Sequence, residues 1–220
     1  MLCLFLYEGY SQSIGTVLKE LRESQYIISK DSLDRYENII KSVLEERDSI
    51  ERYITIVGEV HMVRDSTLFF SDIFQRNIIS SQLKIHSFFL KNTFDIVGNE
   101  GFFTKEQYKQ IPTSQLRYQS VARLYTQGKI KNLFPVESQY LYQIHTSAIQ
   151  ERSQRFSVLL TKLRSYIAFS LLLEEMRKKG YTRGALVMGT YHMIDLKDLS
   201  IKGVSIETYH TSNTPLEQYF

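Results

Sequence analysis

The sequence predicts an α/β fold: a mostly parallel central sheet with helices on both faces, preceded by an N-terminal helical extension. Three observations predict it. Short apolar runs such as Tyr53 to Val57 are β-branched and lack polar alternation, which suits strands covered on both faces. Between such runs lie helical stretches too long for hairpins, so successive strands are joined by right-handed crossovers that place helices on both sides. Finally, two runs far apart end alike, ITIVGEVH at Ile54 to His61 and LVMGTYH at Leu186 to His192, each closing in Gly-x-x-His, where the glycine after the strand allows the chain to turn sharply out of the sheet.

Taken in order, the first residues, MLCLFLYEGY, hold an apolar run only from Leu2 to Tyr7, closed by Glu8 and with no basic residues before it. They read as a strand or a docked terminus rather than a signal peptide. Val17 to Ile27 and Ser32 to Glu46 read as helices. In the second, Leu33, Tyr36, Ile39, Ile40, Val43 and Leu44 recur at helical spacing opposite Asp34, Arg35, Glu37 and Lys41. The pair is expected to cover the sheet as a helical hairpin, with boundaries of 1–50 for the extension and 51–220 for the α/β domain.

After ITIVGEVH, Ser66 is a plausible N-cap for a crossover helix over Thr67 to Lys91. The strand Thr93 to Glu100, TFDIVGNE, ends at glycine and is followed by a carboxylate. Thr104 and Gln107 have capping-box spacing, Pro112 breaks the helix they start, and Gly128 suits the C-cap of its continuation to Gln127. Ile130 to Val136 is the next strand, beside Glu137. Ser138 to Lys179 contains no Gly or Pro and reads as one helix or two in tandem, stopped at Gly180. After the second Gly-x-x-His come a short helix, Asp195 to Leu199, and a last strand, Val204 to Tyr209.

Composition narrows the function. A chain of 220 residues buries one good core, and 43% hydrophobic with 23% charged residues is ordinary for a globular protein. A formal net charge of +3, spread over clusters such as Lys129 to Lys131 and Arg177 to Lys179, gives no electrostatic footprint for nucleic acid. The single cysteine, Cys3, excludes an internal disulfide framework and fits a reducing compartment. No stretch approaches the ~20 apolar residues that span a bilayer, so the expectation is a cytoplasmic protein without a transmembrane segment.

In a parallel sheet, ligands bind beyond the C-terminal ends of the strands. Two strands ending in Gly-x-x-His, with TFDIVGNE between them, would bring His61, His192 and Glu100 into one cleft. That set resembles the TraB/Tiki/erythromycin esterase/ChaN superfamily, marked by two Gly-x-x-His motifs, an intervening Glu after a strand, and an Arg on the helix before the second motif. The resemblance covers about Tyr53 to Tyr209. It implies an essential role for Glu100 and an auxiliary one for Glu59, where relatives carry an acid or Thr. It implies a second-tier role for Glu137, where relatives keep Asp. The implied arginine is Arg164, with Ser165 where Asn or Asp is usual; Arg152 and Arg155 are the alternatives. Helix geometry also favours Arg164, because Leu160, Leu163, Ile167, Leu171 and Glu174 would form a stripe on the sheet with Arg164 one position away. His86, His145 and His210 have no matching context; His86 and His145, within helical stretches, are expected at the surface or as satisfied core residues, whereas His210 lies past the last strand, in reach of the cleft by position alone.

Two classes of function follow. One is a hydrolase of ester or peptide bonds acting on a small molecule or peptide. There His61, Glu100 and His192 hold a divalent ion (zinc, manganese, cobalt or iron), or His61 acts as general base without metal. The superfamily implies both routes: Tiki proteins resemble metal-dependent proteases, whereas erythromycin esterases need no metal by resemblance. The other class is a non-catalytic binding protein for haem or a peptide, as ChaN and TraB imply. Several relatives carry signal or membrane segments, from which the expected cytoplasmic location departs.

Overall fold

The computed structural model describes residues 13–24, 28–46, 49–60, 72–102, 104–112, 119–151 and 153–212. The opening MLCLFLYEGY, His61, the Ser66 cap and Arg152 lie outside the described residues. Within them, helices α1 (Ile14–Glu23) and α2 (Lys30–Glu45) precede strand β1 (Arg52–Glu59), followed by α3 (Asp72–Lys91) and β2 (Ile96–Asn99). Next come α4 (Lys105–Lys109), α5 (Ser120–Thr126), β3 (Leu133–Pro135), α6 (Gln139–Gln150) and α7 (Gln154–Lys179). Strand β4 (Arg183–Gly189), α8 (Thr190–Leu196) and β5 (Val204–His210) complete the order.

All five described strands are parallel, in the order β3-β2-β4-β1-β5. Neighbours β2 and β4 send the chain in opposite directions, one outward to β3 and the other across to β5, so the C-terminal ends of these two strands flank the topological switch point. On one face Ile54, Ile56, Ile96, Leu186 and Met188 pack against Phe169, Leu172, Leu173 and Met176 of α7. On the other, Val57, Val97, Ala185 and Val187 meet Ile85 and Phe89 of α3, Tyr108 of α4, and Val121 and Leu124 of α5. Alternation along each strand divides these two sets.

Several boundaries differ from expectation for visible reasons. Strand β2 starts only at Ile96; just before it, Asp95 N donates to Arg183 O at 2.8 Å and the Asp95 carboxylate accepts the backbone N–H groups of Thr182 and Arg183, both at 2.9 Å, which ties the entry of β4. Strand β3 lies at the sheet edge and includes Pro135, which has no N–H to give a further neighbour. The second Gly-x-x-His run is strand only to Gly189, so His192 stands in the first turns of α8, and the expected helix at Asp195 begins five residues earlier. The capping box at Thr104 and Gln107 is present, and Gly128 takes a left-handed conformation (φ 70°) after α5.

The glycines that end the sequence motifs were expected to turn the chain. Gly58 and Gly98 instead lie inside strands, where the side chain is what must be missing. A Cβ on Gly58 would fall 1.9 Å from Met193 Sδ, and one on Gly98 would fall 2.8 Å from Val136 Cγ1. The first motif is thus packed directly beneath the helix that carries the second.

The expected stripe on α7 also needs correction. Leu160, Leu163 and Ile167 pack not on the sheet but on Val17, Leu18, Leu21, Leu33 and Ile40 of α1 and α2, while Glu174 is exposed. The sheet receives the neighbouring face, from Ala168 to Met176. Because α7 is covered on two sides it is apolar nearly all round. Among the described helices it alone has the length and hydropathy of a membrane span, and 72% of that window is buried within the fold, as expected of a core helix.

Candidate functional site

Arg164 lies midway along α7 with its side chain 8% exposed, as is that of Glu100. Its guanidinium has donors in a planar fork. Nε and Nη2 grip the two oxygens of Glu137 at 3.0 and 2.6 Å. Nη2 also donates to Glu100 Oε1 at 2.5 Å, Nη1 donates to His145 Nδ1 at 2.7 Å, and the ring of Tyr142 lies 5.6 Å from Cζ. Burial works against the arginine's charge, but Glu100 and Glu137 more than offset it and hold its pKa above the ordinary value.

Each partner is delivered by a different element. Glu100 follows β2, where its N–H bonds Val187 O at 2.9 Å, and its Oε2 accepts from Gly189 N at the end of β4 at 2.8 Å. Glu137 follows β3, just before Ser138, whose side chain caps α6 by accepting from Leu141 N. His145 comes from α6, which ends at Gln150 and packs on α7, which starts at Gln154, with no Gly or Pro between them in sequence. Since a guanidinium only donates, Nδ1 of His145 is the acceptor and Nε2 carries the hydrogen, directed at Ser157 Oγ (2.9 Å) and Thr161 Oγ1 (3.2 Å). Burial, then the nearby charges of Arg164 and His192, push the His145 pKa down to about 3.

His192 completes the group. It is 5% exposed, so it lies within the packed core rather than lining an open cleft. Its Nε2 is 3.1 Å from Glu100 Oε1 and its Nδ1 is 2.7 Å from Ser165 Oγ. Ser165 in turn contacts Asp195 Oδ2 at 2.9 Å. The carboxylate of Glu100 takes N–H donors on both oxygens, so Nε2 of His192 faces it as a donor.

Of the residues expected in the site, the structure brings together Glu100, Arg164, His192 and the second-tier Glu137. Glu59 is held on the opposite face of the sheet, where Oε2 accepts from Gln82 Nε2 at 3.0 Å. Arg155 pairs with Glu20 of α1 at 2.7 Å with its own side chain 83% exposed. His61 and Arg152 lie outside the described residues. His145 was expected to be a surface or satisfied core residue; it is satisfied, but its partner is the site arginine. Asp195 was read only as a helix start. His86 is half-buried, with its solvent-shielded Nδ1 lacking a hydrogen-bond partner, and His210 ends β5 opposite Gly58.

The metal expectation fits this arrangement poorly. A divalent ion needs a lone pair on the imidazole and an open carboxylate oxygen. Here Nε2 of His192 donates to Glu100, Nδ1 is taken by Ser165, and both Glu100 oxygens already accept from Arg164 or Gly189. Among the described residues no three His, Cys, Asp or Glu side chains are grouped as metal donors. A haem iron would meet the same obstacle at His192. A hollow of about 450 Å³ lies elsewhere, on the N-terminal half of the strands, among Tyr53, Phe94, Arg183 and Glu207, and contains none of these groups. No family model, curated protein or solved structure matches the chain.

Proposed function

We propose that the chain is a hydrolase of ester or peptide bonds, of the type found in the superfamily its motifs resemble, with His192 and Glu100 as an acid–base pair that works without a metal. The observation that carries the reading is the placement of a buried Arg164–Glu100–His192 cluster at the switch point of the sheet. Buried ion pairs are rarely more stabilising than apolar packing of the same volume, so stability alone does not account for one at this edge.

In this reading Arg164 keeps Glu100 ionised, and Glu100 orients the His192 imidazole and stabilises it when charged. His61 of the first motif activates water. His192 returns the proton to the leaving group. The substrate is a small molecule or a peptide. The haem-binding alternative lacks an imidazole nitrogen free for iron at His192, and nothing favours it over hydrolysis.

The test is turnover of a panel of aryl esters and fluorogenic peptides by the wild type, His192→Gln and Glu100→Gln, with thermal melts as fold controls. Loss of the acid–base group lowers turnover by about 100-fold or more in the folded variants. Wild-type rates in both variants, or peptide binding without any turnover, would contradict the reading.

A further inference from the structure

Ser165 Oγ carries one hydrogen and has three polar neighbours: Thr161 O at 2.9 Å, Asp195 Oδ2 at 2.9 Å and His192 Nδ1 at 2.7 Å. The Thr161 carbonyl only accepts. If Asp195 were a carboxylate and Nδ1 bare, three acceptors would crowd a single hydrogen at hydrogen-bond distance, leaving two contacts between lone pairs. At least one further proton therefore sits on Asp195 or on Nδ1. We propose that Asp195 is a proton reservoir for His192, connected to it through the Ser165 hydroxyl.

The exchange is balanced. The Asp195 Oδ2–H bond breaks as a new Ser165 O–H forms, while the original Ser165 O–H breaks and a His192 Nδ1–H forms. Asp195 ends as a carboxylate and the imidazole as an imidazolium, whose Nε2–H already faces the Glu100 carboxylate. With both Asp195 and Nδ1 protonated, all three contacts of Ser165 have a hydrogen, so the arm can also hold two protons.

The surroundings suit a stored proton. Asp195 Oδ1 is buried without a hydrogen-bond partner, a poor place for a lasting negative charge. Burial raises the Asp195 pKa, against the opposing influence of Ser165, His192 and Lys162. The charged and titratable groups facing the arm are Lys162, Arg164 and Tyr166 from α7, His145 from α6, Glu100 after β2 and His192 from α8. Lys162 is itself buried, and burial lowers its pKa, which weakens it as a fixed counter-charge to Asp195.

For catalytic use the reservoir rests on the reading of His192 as the acid–base group, but its test does not need a substrate. In the full chain labelled with ¹⁵N-histidine, and with resonances assigned through His192→Gln, the Nδ1 shift of His192 is followed against pH. A coupled pair titrates in two macroscopic steps, so the wild type gives a biphasic curve. Asp195→Asn, close in shape, and Ser165→Ala each give a single step, its midpoint moved by about one pH unit or more. A single step in the wild type overturns the proposal whatever the variants do, as does a biphasic curve that survives both substitutions. If Asp195→Asn alone removes the second step, Asp195 acts through space and the hydroxyl path is wrong. A single-step curve beside intact hydrolysis rejects the reservoir alone, whereas a biphasic curve without turnover rejects the hydrolase.

Discussion

Two arginines on α7, nine residues apart, meet glutamates under opposite conditions. Arg155, at the exposed start of the helix, reaches Glu20 with its side chain 83% exposed. Arg164, in the covered middle, is locked between Glu100 and Glu137 with 8% of its side chain exposed. Both contacts are short, so distance does not separate them. Burial does. Water screens the first pair, whereas the second stands where a lost partner leaves a carboxylate with no solvent to answer it.

The sharpest way to break this contrast is Arg164→Met, which strands Glu100 and Glu137 together. It should destabilise the fold by about 3 to 5 kcal/mol in denaturant titration. Arg164→Lys keeps the charge but not the fork, and should cost less stability while still lowering turnover strongly, because an ammonium has a single nitrogen where Arg164 uses three to grip both Glu137 oxygens and reach Glu100 and His145.

Next in size is a packing change on the other side of the site. Gly58→Ala places a methyl against Met193 Sδ and should cost about 1 to 3 kcal/mol, read as a fall in the thermal midpoint.

A third test separates the two regions by pH. Folded His145 takes a proton only near pH 3, while its ordinary pKa is 6.5, so between these values the unfolded chain binds the extra proton. Stability from this group is complete above about pH 6.5 and falls as the pH drops toward 3. His145→Asn, which keeps an acceptor for Arg164, should flatten that part of the stability curve. Steep acid loss unchanged in the variant would assign the slope to other groups. Smallest of all, Arg155→Ala should shift stability by no more than about 0.5 kcal/mol. A larger loss would mean that exposure is not what divides the two arginines.

The same division explains what the sequence disclosed. Strands β1 and β4 were legible because β-branched apolar runs have few other uses. Glu100 and His192 were legible because strand ends in a parallel sheet converge. Arg164 came from the superfamily resemblance, which implies an arginine on the helix before the second motif. His145 was hidden because its partner lies 19 positions away on the next helix, with no Gly or Pro in sequence between the end of α6 at Gln150 and the start of α7 at Gln154. The pairing of Ser165 with Asp195 was hidden for a similar reason: a small polar residue beside the arginine and an acid at a helix start have ordinary explanations until the fold sets them 2.9 Å apart. The motif glycines were read as turns, since the sequence records the absence of a side chain but not which neighbour would occupy its place.

The central claim, an acid–base pair whose carboxylate is committed to Arg164 rather than to a metal, is tested most directly by hydrolysis before and after exhaustive chelation, with metal content measured on the same samples. The account predicts turnover that is unchanged in metal-free protein and lost in His192→Gln. Turnover that disappears on chelation and returns with zinc, manganese, cobalt or iron would contradict it.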